Sequence, residues 1–520
     1  MVLPLKSVVI VGGGTAGWIV AGTLAAKHLS NSPNGTQITL IESPDIQPIG
    51  VGEGTWPTMR GTLRRMGISE TDFINVCDVS FKQGAKFAQW VDGTESDYYY
   101  HPLVLPRGFT KGNLAPFWQA SSFDKSFSQA VCHQESLCEI GLAPKTITTP
   151  EYEAVANYAY HLDSAKFSDF LKRHCIDRFG VKYISDNVIA VNESTNEDSQ
   201  DIASVSTANY GEIDGDLFID CTGFKSLLLG THYEVPFVDK SDVLFVDTAL
   251  AVQTPYANEQ APIASHTIST GQKAGWIWDI GLQSRKGVGY VYSSDHTSED
   301  EATADLISYI NRDQELEAQD LNIRKIPIRS GHREIFWKNN CVAVGLSAGF
   351  LEPLEASALV LVELSAQMIA DQLPKNRLVM DVIAKRFNQS FLYRWDRIVD
   401  FLKLHYILSR RKEKFWSDNR NPDTIPESLL ELLELWQYQH PWNYDFTDQC
   451  EVFPAASYQY VLYGMGFKTH MQEQSFSKSE ITFAERQFND NLKFIEKLTT
   501  MLPQNRDLLN KVRKYGFQKI

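Results

Sequence analysis

The first forty residues alternate between apolar blocks and glycine-rich or polar breaks. Ser7–Val11 is a β-branched run that predicts a buried parallel strand. The glycine-rich turn 12–17 follows, then a helical stretch to about His28, and Gln37–Ile41 predicts a second strand that ends at Glu42. A strand, a glycine turn, a helix, a strand and an acid in this order are typical of a dinucleotide-binding βαβ unit.

Further along the chain, strand-like alternation gives way to helical periodicity. Strands are predicted at 182–191, 215–220, 244–252, 274–282, 287–293 and 341–345, the third to fifth as antiparallel neighbours. Long helical patterns cover 357–374, 379–410, 425–438 and 479–501. We therefore predict an interwoven α/β body at 1–375, with a central antiparallel sheet at about 240–330. A helical C-terminal part at 376–520 is expected to cover the substrate.

Composition and charge exclude several classes of protein. Hydrophobic residues make up 43% and charged residues 22%, as in ordinary globular proteins. The net charge of −15 argues against nucleic acid and an anionic membrane surface as partners. The uncharged stretch 7–26 contains five glycines, which favours a strand, turn and helix over a membrane span.

Cysteine and histidine spacing gives no sign of a metal site. The seven cysteines form no CxxC pair, and the twelve histidines form no HExxH or HxxxH pair. We therefore expect neither a disulfide framework nor a bound metal, and a reducing cytoplasm is the simplest location.

The glycine turn predicts how a pyrophosphate is held. Glycines at 12, 14 and 17 let the backbone approach the phosphates, and the N–H groups of the following helix, which begins around Thr15 and Ala16, point at the anion. Glu42 is placed to accept a hydrogen bond from a ribose hydroxyl. The plain alternative is a tight turn without a ligand, but the flanking strands and the acid favour dinucleotide binding.

Two distant segments favour FAD over NAD. Asp216–Gly223 is a strand that ends in an acid and a Thr-Gly turn, and Cys341–Leu354 is a strand followed by a small-residue turn and a helix that starts at a proline. Segments that come back to the cofactor site this late in the chain suit FAD, because an extended cofactor needs protein on a third side, here called the third wall. The sequence has no second GxGxxG, so we expect the reductant to come from outside.

A series of short motifs resembles the flavin-dependent halogenases of the tryptophan halogenase family over about the first 360 residues. The resemblance implies a flavin monooxygenase-like, FAD-binding Rossmann-like body with mixed sheets and a helical C-terminal part. The motifs are GGGTAGWIVA at 12–21, GVGEGT at 50–55, SFK at 80–82, GWIWDI at 275–280 and GFLEPLE at 349–355. For the cofactor, it adds to the turn residues and Glu42 the contacts Ile49, Val51, Gly54, Val188 and Leu346.

The resemblance also implies the catalytic residues. Lys82 would hold hypohalous acid or form a haloamine, and Glu355 would orient the oxidant and take part in removing the ring proton. The backbone N–H groups of Ser357 and Ala358 would bind the halide. Family members often read Glu-Ser-Thr-Gly where this chain reads Glu-Ala-Ser-Ala, a change that spares backbone donors but can alter halide preference. A surface lysine and a helix-dipole glutamate are the plain alternatives.

The resemblance implies less about how the substrate is bound. Trp276 and Trp278 lie two apart, so on a strand they share one face and would wall the flavin from the substrate. His101 lies in the Tyr-rich segment that contributes substrate contacts. The tyrosine pair and glutamate that clamp free tryptophan in the family do not map onto 441–446 and 453–455, so the aromatic substrate stays open.

We expect an oxidoreductase that uses FADH2 from a separate flavin reductase, O2, and chloride or bromide to halogenate an electron-rich, indole-like aromatic. A homodimer is a family expectation. Two alternatives stay open: a flavin-dependent aromatic hydroxylase, and a non-catalytic flavin-binding regulatory protein.

Overall fold

The computed structural model describes residues 4–46, 52–121, 124–195, 200–312, 316, 321–446, 448–470 and 476–519. Most of the predicted strands appear, with shifted ends, and the prediction at 182–191 divides into two. In chain order the strands are β1 Ser7–Val11, β2 Gln37–Glu42, β3 Glu53–Gly54, β4 Ser80–Lys82, β5 Gly84–Ala88, β6 Tyr98–Pro102, β7 Ala159–Leu162, β8 Lys182–Ser185, β9 Val188–Glu193, β10 Ile202–Thr207, β11 Gly211–Asp214, β12 Leu217–Asp220, β13 Phe237–Asp239, β14 Thr248–Pro255, β15 Thr267–Gln272, β16 Gly275–Gly281, β17 Arg285–Tyr292, β18 Arg324–Pro327, β19 Gly331–Arg333, β20 Trp337–Lys338, β21 Cys341–Ala343 and β22 Gly349–Phe350.

The helices confirm the four long C-terminal patterns and add further helices before, between and after them. In chain order they are α1 Thr15–Lys27, α2 Thr58–Arg65, α3 Glu70–Val76, α4 Ala115–Ala120, α5 Phe127–Val131, α6 Gln134–Glu139, α7 Ser164–Phe179, α8 Glu299–Ile310, α9 Ser357–Asp371, α10 Arg377–Ile407, α11 Lys414–Asn419, α12 Glu427–Trp436, α13 Ala455–Gly464, α14 Lys478–Met501 and α15 Asn505–Tyr515. Within the described part of the chain, no helix combines the length and the apolar character needed to cross a membrane.

The chain divides into two compact units, each built from three separate segments. The first unit is Met1–Cys77, Leu162–Lys240 and Arg329–Trp395, and the second is Asp78–His161, Ser241–Ile328 and Asp396–Ile520. These limits differ from a single division at residue 375, because sheet pairing joins segments that are far apart in the sequence. The role of 376–520 in covering the substrate stays a prediction.

The first unit is organised around a six-stranded sheet in the order β20-β21-β12-β1-β2-β8. β1 pairs in parallel with β2 and with β12, and Val8–Val11 of β1 are buried. Helix α1 packs against α7 and α9, so the apolar helix between the first two strands is enclosed. This arrangement confirms the βαβ prediction, and two three-stranded sheets, β11-β10-β9 and β13-β19-β22, complete the unit.

The second unit contains a seven-stranded sheet in the order β18-β14-β17-β16-β15-β5-β6. Strands β14, β17, β16 and β15 pair antiparallel, as predicted for the centre of the chain, and β15 joins β5 in parallel. Helix α8 covers one face of this sheet. Its Leu306 packs in a buried cluster with Leu250, Ile277 and Tyr290.

This cluster gives a test of the fold. Leu306 is 0% exposed, so Leu306→Ala should lower the free energy of unfolding by about 2–5 kcal/mol through lost contacts and a cavity. Ser308→Ala on the exposed side of the same helix should change it by less than about 0.5 kcal/mol. Denaturant unfolding of both variants would measure the difference, and equal values would contradict the assigned packing of α8.

Candidate active site

The glycine turn of the first unit is shaped by two close backbone approaches. Gly12 has a φ of +115°, and a Cβ there would lie 2.1 Å from the carbonyl oxygen of Cys221. A Cβ on Gly17 would lie 2.0 Å from the carbonyl oxygen of Gly12. Gly14 differs, because it is exposed and a Cβ there would meet no described atom within 4 Å. The open space therefore lies where the first N–H groups of α1 can face an anion.

Glu42, the predicted ribose acceptor, lies against this turn. A Cβ on Gly13 would be only 2.4 Å from the carboxyl carbon of Glu42. The Lys172 ammonium donates to Glu42 Oε2 at 2.8 Å and to the Tyr183 hydroxyl at 2.8 Å. No sequence pattern pointed to Lys172, which lies on α7, 130 residues after Glu42.

The predicted third wall reaches the start of α1. Gly345 opens a 3-10 turn, Gly345–Ser347, with a φ of +74°, and a Cβ there would lie 2.8 Å from Cβ of Ala16. The Ser347 hydroxyl donates to the Asp220 carbonyl, which ties the turn to the end of β12. Leu346, in the same turn, is partly exposed.

The remaining predicted cofactor residues are only partly described. Val188 begins β9 and Gly54 ends β3, and both are partly exposed. Ile49 and Val51 lie outside the described residues. The turn, the acid and the late segment nevertheless meet in one unit, so the residues present fit an extended dinucleotide such as FAD.

The segment around Glu355 differs from the expected helix that starts at the proline. Pro353–Glu355 form a single 3-10 turn, which ends because Ala356 adopts a left-handed conformation with a φ of +54°. Helix α9 then begins at Ser357, so Ser357 and Ala358 occupy its first two positions. Glu355 is therefore a buried residue just before the helix, at 6% exposure.

Contacts from the region of α2 hold this turn and α9. The Trp56 indole N–H donates to the Glu355 carbonyl at 2.8 Å. Nearly two turns into α9, the Glu363 carboxylate accepts hydrogen bonds from the hydroxyls of Thr58, at 3.1 Å, and Thr62. Burial raises the pKa of Glu363 to about 7, although these hydrogen bonds oppose the shift. Neither Trp56 nor Glu363 was singled out from the sequence.

Lys82 belongs to the second unit. It ends β4 and is 4% exposed. β4 pairs antiparallel with β7, which places Lys82 opposite Ala159. The Ser80 hydroxyl donates to the Gly281 carbonyl at the end of β16, so this strand pair is tied to the seven-stranded sheet. Lys82 is therefore buried and is not a solvated surface lysine.

The sheet register places His101 and Trp278 on one face. Ala85 pairs with both His101 and Thr267, and Ser269, two residues after Thr267, pairs with Trp278. Paired residues share a face, and so do residues two apart on a strand. His101, the predicted substrate contact, and Trp278, predicted to wall the flavin, therefore lie on the same side of the sheet.

Trp276 and Trp278, which are predicted to wall the flavin from the substrate, both lie on strand β16. Their ring centroids are 6.4 Å apart, and Trp276 also lies 6.2 Å from Trp90. A Cβ on Gly289, opposite Trp278, would be 2.2 Å from the indole ring. Because Gly289 has no side chain, the indole ring of Trp278 can pack directly against the strand at that residue.

His101 is surrounded by aromatic rings from the C-terminal part of the chain. Its Nε2 lies 2.9 Å from the Ser457 hydroxyl, and its ring lies 5.5 Å from Phe401 and 6.3 Å from Phe453. Phe401 and Phe453 stack with centroids 3.8 Å apart. The sequence pointed to the 453–455 segment but not to Phe401 or Ser457, which face His101 only after helices α10 and α13 have packed.

Comparison with known proteins identifies the family. The family model for tryptophan halogenases matches residues 7–479. This chain belongs to the tryptophan halogenase family. It is an enzyme, a flavin-dependent halogenase, and its α/β body has the FAD-binding Rossmann-like fold.

Similar proteins match along nearly the whole chain. Tryptophan 6-halogenase SttH of Streptomyces toxytricini is 32% identical over 503 residues, covering 92% of this chain and 93% of that protein. The crystal structure of a tryptophan halogenase from Shewanella frigidimarina shares 50% identity, with a TM-score of 0.96 and 99% of each chain covered. Tar14, a tryptophan C-6 flavin-dependent halogenase, has a TM-score of 0.89 at 31% identity, covering 98% of this chain and 100% of its own.

The space at Gly14 gives a test of the cofactor site. Gly14 has extended backbone angles that valine tolerates, so Gly14→Val should fold normally. It should weaken FAD binding by about 10-fold or more, or ~1.4 kcal/mol, because the side chain fills the space that the pyrophosphate needs. Gly61→Ala in α2 is the matched control. Fluorescence titration of the apoprotein would measure both, and unchanged affinity in Gly14→Val would contradict this placement.

Glu363 predicts a pH dependence of stability. Its pKa is about 7 in the folded protein and 4.5 ordinarily, so the folded state keeps a proton that the unfolded state releases. The resulting contribution, about 3 kcal/mol, is present below pH 4.5 and is lost as the pH rises to about 7. Glu363→Gln should remove this part of the decline, whereas Glu427→Gln on an exposed surface should not. Unfolding free energies across this range would measure it, and parallel curves for the two variants would refute it.

Proposed function

We propose that this protein uses FADH2 and O2 to oxidise chloride or bromide to hypohalous acid and to halogenate an electron-rich, indole-like aromatic. The observation that carries the proposal is the burial of Lys82 in a strand pair tied to the sheet that bears Trp276 and Trp278. Burying a lysine is unfavourable, so a lysine that is 4% exposed next to such a sheet calls for a function.

Residues of the first unit would hold the cofactor. Gly12, Gly14 and Gly17 leave room for the pyrophosphate at the start of α1, and Glu42 would accept from the ribose. When bound, reduced FAD would supply two electrons to O2 and the halide would supply the other two, so that one oxygen atom leaves as water, the halide becomes hypohalous acid and FAD is left oxidised. A separate flavin reductase would deliver the reduced cofactor.

Lys82 would hold and aim hypohalous acid. Its ammonium group can donate a hydrogen bond to the oxygen of that acid, or its neutral amine can form a haloamine. A buried amine is protected from bulk water, which would otherwise dilute and release the oxidant. Lys82 would thereby act on the oxidant, and the tryptophans of β16 would separate the flavin from the organic substrate.

Glu355 and the start of α9 would complete the chemistry. The Glu355 carboxylate would orient the oxidant and accept the proton that leaves the ring carbon when the halogen has been added. The backbone N–H groups of Ser357 and Ala358, in the first turn of a 15-residue helix, would bind the halide. Backbone donors can bind chloride and bromide alike, so we propose that either halide is used.

His101 and its aromatic neighbours Phe401 and Phe453 would contact the aromatic substrate. The rings of His101, Phe401 and Phe453 lie close together, and such a cluster can make stacking and edge contacts with an indole. We propose a tryptophan-like or free indole compound as substrate, and a reducing cytoplasm as the place of reaction.

The proposal is tested with purified protein, FAD, a flavin reductase and NADH. Tryptophan and indole are supplied in separate tubes with chloride or bromide, and mass spectrometry reads the product. We expect a halogen isotope pattern, and Lys82→Ala should lower the rate by at least about 100-fold because the oxidant is no longer held. Glu355→Gln should also lower it.

Matched variants separate chemistry from stability. Lys86→Ala removes a lysine of the neighbouring strand β5, and Glu363→Gln removes a buried carboxylate of α9; both should keep most of the activity. An oxygenated product would instead favour the hydroxylase. Oxidation of reduced flavin without any product, with either halide, would favour a regulatory flavin-binding protein.

A further inference from the structure

His161 is a fully buried histidine with one unused ring nitrogen. It lies in β7 and is 0% exposed. Its Nε2 lies 2.8 Å from the Thr267 hydroxyl, and its Nδ1 has no hydrogen-bond partner among the described residues. Leaving a buried ring nitrogen unpaired is unfavourable, so the Nδ1 edge of His161 is open to interaction with a nearby polar group.

The strand register brings His161 close to Lys82. His161 pairs with Ser80, and Lys82 lies two residues further along β4, opposite Ala159. Directly paired residues share a face of an antiparallel sheet, as do residues two apart. His161 and Lys82 are therefore diagonal neighbours on one face, a separation of about 7–8 Å between backbones that long and aromatic side chains can bridge.

The surroundings keep the imidazole neutral. Burial, the charge of Lys82 and His266 all lower the pKa of His161, in that order of size. These two groups come from β4 and from the residue just before β15. A neutral ring beside a lysine adds no second positive charge, and it offers polar edges that favour the charged form of the amine.

Thr267 connects this pair to the substrate side of the sheet. It lies on the face that carries His101 and Trp278, and its hydroxyl fixes one edge of the imidazole. Fixing Nε2 also fixes the direction in which the opposite edge of the ring, with Nδ1, points.

We propose that His161 is a positioning residue for Lys82. Held at Nε2 by Thr267, the neutral imidazole presents its Nδ1 edge to the polar surroundings of the Lys82 amine, fixes the direction of that amine and favours its protonated, hydrogen-bond-donating form. The inference rests on the proposed function of Lys82, and it assigns His161 no contact with substrate or cofactor.

Two isosteric variants separate the two edges of the ring. An asparagine amide places a polar atom near the position of Nδ1, and a glutamine amide places one near Nε2. His161→Asn therefore keeps the edge that acts on Lys82, whereas His161→Gln keeps the bond to Thr267. His161→Phe keeps neither, and His133→Gln, at a partly buried neutral histidine just before α6, is the matched control.

The measurement is the pH profile of kcat and KM for halogenation, with melting temperatures in parallel. We expect His161→Phe to lower kcat by about 10-fold, the scale of a lost orienting contact, with KM within about two-fold. Its alkaline limb should move to lower pH, because an apolar neighbour disfavours the ammonium. His161→Asn should recover most of kcat and His161→Gln little, while His133→Gln should match the wild type.

A purely structural role would give the reverse order. If His161→Gln recovers activity and stability while His161→Asn does not, or if all pH profiles coincide, the inference is overturned even though the wild type halogenates and Lys82→Ala does not. If the wild type forms no halogenated product with either halide, the proposed function fails, and the assignment of His161 falls with it. Because Asn and Gln are compared with each other, the test holds even where His161→Phe does not fold.

Discussion

Backbone contact at the glycine turn is the constraint on which the first unit depends. The carbonyl oxygens of Gly12 and Cys221 occupy the positions that side chains at residues 17 and 12 would need. Helix α1 can therefore lie directly on the parallel sheet, with its first N–H groups at the sheet's carboxyl edge. Gly345 makes a similarly close contact, because the turn 345–347 packs against Ala16 with no room for a side chain at residue 345. Glu42 and the turn 345–347 reach the start of α1 only because these contacts are so short.

Missing side chains also organise the second unit, but there they make room for rings. Trp278 lies across the strand at Gly289, and a side chain on that glycine would overlap the indole. On the same sheet face, Ala85, Thr267 and Ser269 are small, so larger groups above them can approach the sheet. Thr267 in turn binds His161 of the β4–β7 pair. The position of the Trp278 ring thus depends on the missing side chain of Gly289.

Burial controls the charge of several groups near the predicted chemistry. His161 stays neutral because burial and the charge of Lys82 both lower its pKa. Burial raises the pKa of Glu363 to about 7, so this carboxyl group is partly protonated at neutral pH. Burial likewise raises the pKa of Glu53, in β3, to about 7. Such shifts mean that the fold determines which groups carry charge in these regions. An enzyme that handles a reactive oxidant benefits from this, since water that solvates charges would also consume the oxidant.

The sequence alone determined the elements whose signal is local. The period of apolar residues gave β1, α1, β2 and the long C-terminal helices, and the glycine spacing gave the turn, because dihedral preferences and side-chain periodicity act over a few residues. Short motifs were enough to identify the family. Tertiary structure decided the rest: the left-handed Ala356 that separates Glu355 from α9, the pairing of Lys172 with Glu42, and the approach of Ser457 to His101. Each of these depends on strand register or helix packing between segments up to hundreds of residues apart, where no local pattern records which side chains will meet.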